Sequence, residues 1–307
     1  MDRSWFFNDA NNSTTSYTLT SGADSITTTS GRAIVTATSG TLSSGDVISL
    51  NGHHNTLVLS GAGTFDLTAP TTLSGVDRVT GDATAAQTIT LSSASLYLSA
   101  GDGNDTVTSL TGNDTIKLGN GNDTVSLGSG NTLLALGNGN DTVTLGSGAA
   151  SIGLGSGTNT IHGSTGELHV FASSGTDTVT AGGGDTYVVA GSGADTITGS
   201  TGKLAVVAGA GTTTLTFGSG TGVLGLVNKS GSVTVNSFAH GTDTIDLSHL
   251  GITSWAQLQS AATIGSDGSG GTKIVFSNGP TIDLVGIASV TTADFSYAHG
   301  HSFHPGW

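Results

Sequence analysis

The sequence predicts an all-β protein: a parallel β-roll (β-solenoid) of nine-residue half-turns that pair into 18-residue rungs, with a small C-terminal cap. Three observations predict it. Asp105, Asp123, Asp141, Asp177 and Asp195 fall on one 18-residue grid, with Asn159 filling the gap. Each closes a glycine-rich box: AGDGND at 100–105, LGNGND at 118–123 and 136–141, LGSGTN at 154–159, ASSGTD at 172–177 and AGSGAD at 190–195. Between boxes run Thr-Val-Thr and Thr-Ile-Thr segments, whose alternation of period two marks strands with one buried face. Two nine-residue units make one flattened rung, and the register is read as unbroken from Ala100 to Thr234.

Within the unit, the eighth position is branched and apolar from Val107, Ile116 and Val125 through to Val206 and Leu215. The first position of the next unit shares its parity and supplies Leu118, Leu127, Leu136, Leu145 and Leu154, then the smaller Gly163, Ala172, Ala181 and Ala190. These two ladders are expected to point inward and stack, because one rung cannot bury its own apolar face. The box glycines are expected to form corners with positive φ and to bring backbone carbonyls together. Only the odd units carry the aspartate grid. The sixth positions of the even units are Asp114, Thr132, Ala150, Leu168, Thr186 and Leu204, so the second edge is expected to close by apolar packing, with Asp114 a solvated turn residue.

The pattern divides the chain into three parts: a β-rich segment at 1–88 with irregular spacing, either irregular rungs or a cap; the roll at 89–234; and a C-terminal part at 235–307. In the first part, His53 and His54 read as a turn. In the last, a short helix bearing Trp255, Leu258 and Ala261 is expected, with Thr253 or Ser254 as its N-cap. A hairpin-like pair turning at SNGP (277–280) follows it. Such an atypical end is what covers an open solenoid.

Composition narrows the function. The net charge is −14 and Glu167 is the only Glu, so the acidity lies in short aspartates. Seven scattered Lys and Arg form no basic stripe for nucleic acid or anionic lipid. There is no Cys, so neither disulfides nor thiolate chemistry are available. No apolar run approaches the roughly 20 residues of a membrane-spanning helix. The start MDRSWFFNDANNS is too short in apolar residues for a signal peptide, so export is expected without an N-terminal signal. No HExxH, GxSxG or Cys nucleophile is present, and the chain is not read as an enzyme. His299, His301 and His304 form a histidine-bearing tail.

The boxes suit calcium, a hard cation that takes six to eight oxygens. They supply a carboxylate, carbonyls freed by glycine turns, and a twin loop one rung later. The boxes, the DTV and DTI strands and the C-terminal TIDLVGIASVTTADFSY together resemble the RTX (repeats-in-toxin, hemolysin-type calcium-binding) proteins. The resemblance implies Ca2+ between successive loops of one edge, bound by Asp105, Asp123, Asp141, Asn159, Asp177 and Asp195. It also implies carbonyl ligands from the boxes of Gly101, Gly103, Gly119, Gly121, Gly137, Gly139, Gly155, Gly157, Gly175, Gly191 and Gly193. The chain departs from that pattern at Asn159, at Ser173 and beyond Thr213. The resemblance further implies that residues 246–297 act as an uncleaved type I secretion signal, placing the protein outside a Gram-negative cell.

The expected function is therefore a secreted, calcium-stabilised structural protein of the cell surface or matrix, self-assembling into a filament or layer. Even-sheet positions of outward parity favour this: His169, Phe171, Tyr187, Val189, Ala205, Val207 and Val223 make an apolar patch. The alternative is an adhesin or ice-binding-type module. It would use the outward Thr-x-Thr ladder from Thr106/Thr108 to Thr214/Thr216, which His162 interrupts.

Overall fold

The computed structural model describes residues 13–297 apart from 278; the tail histidines lie outside the described residues. The chain winds as a parallel β-solenoid of about 13 turns, at about 18 residues per turn through the repeats. Alternate half-turns feed two long sheets of 14 and 13 strands. Along the repeats the register is strict: Val107 pairs with Val125, Val125 with Val143 and Val143 with Ile161 on one sheet. Ile116, Leu134, Ile152 and Val170 follow one another on the other.

Between the sheets lies one continuous core. Every eighth-position residue from Val107 to Leu215 is buried, as are Leu118, Leu127, Leu136, Leu145 and Leu154. Ala181 and Ala190 are buried too, whereas Gly163 and Ala172 are only half-buried. The 18-residue register begins at Gln87–Thr90, where Thr88 pairs with Thr106. It ends sooner than the sequence suggested. Leu215 pairs with Val235, whereas an unbroken period would have set Val233 opposite it. The extra length is absorbed in a turn where the Ser230 N–H donates to the Val227 carbonyl.

The N-terminal strands are further rungs of the same solenoid. Thr14–Thr18, Arg32–Thr38, Thr56–Ser60 and Arg78–Thr80 start the 14-stranded sheet. Ser25–Thr28, Val47–Leu50 and Thr72–Ser74 form a separate three-stranded face. These rungs are longer than those of the repeats. Ile26 pairs with Ile48, a wider step than the 18-residue period, so the repeat pattern does not reveal them. His54 turns the chain with φ 61°.

At the other end, the strand Ser232–Asn236 is covered by Thr281–Leu284, so that Val233 lies against Ile282 and Val235 against Leu284. Three antiparallel strands, Ala262–Ser266, Thr272–Phe276 and Thr281–Leu284, complete that edge. The helix Trp255–Ala261 starts on Ser254, whose Oγ accepts the Gln257 N–H at 3.3 Å.

Candidate metal centre

All six grid residues are buried on one edge and joined into a ladder. Each carboxylate reaches back to the rung before it. Asp105 Oδ1 accepts the Gln87 N–H at 2.8 Å, Asp123 Oδ1 the Asp105 N–H at 2.8 Å, and Asp141 Oδ1 the Asp123 N–H at 2.9 Å. Asn159 Oδ1 accepts from Asp141 at 3.1 Å, while its Nδ2 donates to Asp177 Oδ1 at 2.8 Å. Asp195 Oδ1 accepts the Asp177 N–H at 3.2 Å, and its Oδ2 takes the Gly191 N–H at 3.0 Å.

One oxygen per carboxylate is thereby accounted for. The second is not: Oδ2 of Asp105, Asp123, Asp141 and Asp177 is buried with no hydrogen-bond partner. An unpaired buried carboxylate oxygen is costly. Among the described residues the ion pairs are His169–Glu167 and His240–Asp294, so no cationic side chain balances the ladder. Burial accordingly pushes the carboxyls of Asp105 and Asp123 up to about 6, against the partial relief of the N–H each accepts. Neighbouring carboxylates add to the rise at both. Asp141, Asp177 and Asp195 are raised for the same first cause, burial.

The box glycines are needed for close approach more than for φ. Of those named above, only Gly121, Gly139 and Gly157 have positive φ, at 149°, 147° and 133°. The others are needed because each rung sits on the carbonyls of the last. A Cβ on Gly119 would stand 2.3 Å from the Gly101 oxygen, on Gly137 2.0 Å from that of Gly119, and on Gly155 1.8 Å from that of Gly137. On Gly175 it would meet the Gly157 oxygen at 2.2 Å, on Gly191 the Ser173 oxygen at 1.8 Å, and on Gly193 the Gly175 oxygen at 1.3 Å. Gly101 and Gly103 pack in this way on Asp82 and Ala85. The edge is thus a column of carbonyl oxygens beside a column of half-satisfied carboxylates.

The opposite edge separates these two features. A Cβ on Gly130 or Gly148 would also strike a glycine oxygen one rung back, at 1.9 and 2.0 Å. Its sixth positions, however, include the buried apolar Ala150, Leu168 and Leu204, and the buried Thr132 and Thr186 among them leave only a neutral hydroxyl without a partner, not a charge. Asp114 is not the solvated turn residue expected. It is buried, with Oδ1 accepting the Leu96 N–H at 2.9 Å and Oδ2 the Ser109 hydroxyl at 2.6 Å, so both oxygens are satisfied within the protein.

The donor set on the aspartate edge fits Ca2+. Among the described residues no three His, Cys, Asp or Glu side chains converge, so a cation held there would have to draw most of its ligands from carbonyls. Hard oxygen donors with one carboxylate per loop suit calcium, whereas transition metals call for clustered imidazole or thiolate. Sequence reasoning missed a further device, two exposed asparagine ladders that brace the same loops. The Asn122 N–H donates to Asn104 Oδ1 and the Asn140 N–H to Asn122 Oδ1, both at 2.8 Å. The Asn120 N–H donates to Asp102 Oδ1 at 2.8 Å. Their signal was present as Asn, Asp or Ser at the third box position and as Asn at the fifth position of the first three boxes.

Residues 99–134, 133–152, 154–188, 171–203 and 181–215 match the RTX calcium-binding nonapeptide repeat (4 copies). The chain carries an RTX repeat array. That family binds Ca2+, and the matched stretch contains the whole grid from Asp105 to Asp195. No curated protein matches the chain. RTX rolls are typically structural or binding elements rather than catalytic ones, and RTX proteins are typically secreted by Gram-negative bacteria.

Proposed function

We propose that this is a secreted structural protein of the cell surface or extracellular matrix, whose RTX roll is set rigid by calcium on the aspartate edge. The single observation that carries the reading is the one-sided column of buried carboxylates, four of them with an oxygen that no described residue satisfies. In this reading Asp105, Asp123, Asp141, Asn159, Asp177 and Asp195, with the box glycine carbonyls, hold the ions. A cation placed there neutralises charge that burial otherwise penalises, so metal binding becomes folding free energy. Outside the cell calcium is available and the roll folds. In a calcium-poor cytosol the same carboxylates disfavour it, which suits export of an unfolded chain through residues 246–297.

Self-assembly through the even sheet is the second half of the proposal. Phe171 and Tyr187 meet edge-on at 6.3 Å and His169 lies 5.7 Å from Tyr187, so the aromatic residues form one stripe. Parts of this face are less open than the sequence implied, since Val223 is 2% and Ala205 8% exposed. Leu133, on the same face, is 55% exposed and borders an open groove of about 740 Å3 that also touches Ser151 and His169.

The alternative, a binding module, has its own supporting observation. Thr106, Thr124, Thr142, Thr160, Thr178, Thr196 and Thr214 pair in one unbroken line across the odd sheet. Electron microscopy of the purified chain with and without calcium tests the choice. Calcium-dependent fibres or sheets support assembly; a monomer that shapes ice or coats a surface supports the threonine face.

A further inference from the structure

The ladder of sixth-position residues does not begin with an aspartate. Gln87 holds that place one rung before Asp105, since Thr88 pairs with Thr106, and it is buried. Its Nε2 donates to the carbonyls of Leu59 and Gly61, at 3.0 and 2.7 Å. Its Oε1 accepts the Asp82 N–H at 3.1 Å, and its own N–H goes to Asp105 Oδ1 at 2.8 Å. Two backbone carbonyls therefore converge on a neutral donor at this rung, whereas the rungs of Asp105, Asp123, Asp141 and Asp177 each offer a carboxylate oxygen that no described residue meets.

The rungs upstream are satisfied in the same internal fashion. Asp46 accepts the Asp24 N–H at 2.9 Å and the Ser43 N–H at 2.7 Å, using both oxygens. Asn55 Oδ1 accepts the Ala33 N–H at 2.9 Å, and its Nδ2 donates to the Gly52 and Gly75 carbonyls at 3.2 and 2.8 Å. Among the described residues, no buried side-chain nitrogen or oxygen before Asp105 lacks a partner. These rungs also have a core of their own, with Val35, Leu57, Leu59, Phe65, Val79 and Ile89 all buried.

We propose that residues 14–91 form a calcium-independent block of the solenoid, in which the Gln87 amide stands where a cation stands in later rungs, and which presents Gln87–Thr90 as the template for the calcium-dependent rungs. This rests on the calcium reading of the aspartate edge. In a nearest-neighbour array, a preformed end removes the cost of nucleating the first rung. Without calcium, the chain is a folded end trailing an unfolded array. With calcium, the residues from Asp105 to Asp195 draw into five rung steps, a rise of roughly 24 Å.

Hydrogen–deuterium exchange on the full chain, in calcium-stripped buffer and with calcium restored, tests this. Amides of Arg32–Thr38, Thr56–Ser60 and Arg78–Thr80 are expected to stay protected without calcium. Those of Thr124–Ser126 and Thr142–Thr144 are expected to exchange as coil until calcium is added. If the first group exchanges as fast as the second in stripped buffer, the proposal is overturned. Protection of both groups without calcium instead refutes the calcium reading of the edge, and the boundary at Gln87 falls with it. Gln87→Glu keeps the side-chain length but removes the donor. Protection of Thr56–Ser60 should then fall by roughly tenfold or more without calcium and recover when calcium is added. Gln87→Leu should lose the same protection without recovery. A Gln87→Glu chain that is unaffected, or that calcium does not restore, overturns the role given to the amide.

Discussion

Replacing Asp123 by Asn separates the two roles of the ladder, because it is expected to stabilise the metal-free roll while weakening its response to calcium. Asn is already accommodated in the column: Asn159 accepts from the rung before and donates to Asp177 at 2.8 Å. An amide at 123 can likewise accept the Asp105 N–H and donate toward the carboxylate of Asp141. The Asp123 carboxyl is pushed from 3.8 to about 6, chiefly by burial, so its folded value exceeds its unfolded one by about 2 units. The folded state then holds more protons than the unfolded state between those values, and metal-free stability is full below about 4 and lost as pH rises through about 6. Two units correspond to at most ~3 kcal/mol, which solvent screening reduces to about 1–2 kcal/mol. Asp123→Asn should therefore raise metal-free stability at pH 7 by about 1–2 kcal/mol and flatten its dependence between pH 4 and 6. The calcium needed for half-folding should rise by roughly tenfold, since a charged ligand is lost. Circular dichroism against urea, or against a protecting osmolyte where the metal-free chain is unfolded, reads the first quantity; a calcium titration reads the second. A less stable metal-free roll, or an unchanged calcium midpoint, would refute the reasoning.

Three further outcomes are expected. Asp114→Ala should cost about 1–3 kcal/mol, by orphaning the Leu96 N–H and the Ser109 hydroxyl. Urea melts with calcium, and osmolyte-induced folding without it, should show the same loss, since Asp114 is assigned no ion; a loss confined to calcium-loaded protein would place a site on the wrong edge. Deleting residues 237–307 removes the strand over Val233 and Val235 and the segment assigned to export, so the chain should stay in the cytosol of a type I-competent host and aggregate. Normal secretion of that chain counts against the type I assignment. Phe171→Asp with Val189→Asp should leave calcium binding intact but abolish self-association in sedimentation, because burying each large apolar side chain contributes about 1.5–3 kcal/mol. Assembly like the parent's rules this face out as the interface, and failure to fold shows that the stripe is covered within the chain.

Much of this was legible in the residues. A strict 18-residue period with alternating Thr-Val-Thr leaves few ways to bury Val107, Val125 and Val143 other than stacking them, and they stack in that register. The one-sided column from Asp105 to Asp195 was likewise visible, because position six repeats on the same edge whenever two units make a turn. Local periodicity fails where the period itself changes. The N-terminal rungs take a wider step, from Ile26 to Ile48, and the rung between Leu215 and Val235 is stretched by the turn at Ser230, so neither follows the repeat.

What the tertiary structure alone decided is which polar atoms find partners. Asp114 and Asp123 follow the same Gly-Asn pair, GND in both cases, and sequence could only guess that their fates differ. Ser109, five residues before Asp114 and turned inward, satisfies the second oxygen there; among the described residues nothing does so for Asp123. The same holds for Gln87, an ordinary residue in a one-dimensional reading until the fold brings the Leu59 and Gly61 carbonyls onto its amide. Repetition along a chain dictates which backbone stacks on which. Whether a buried charge is satisfied depends on atoms from other rungs and other corners, whose positions no local pattern encodes.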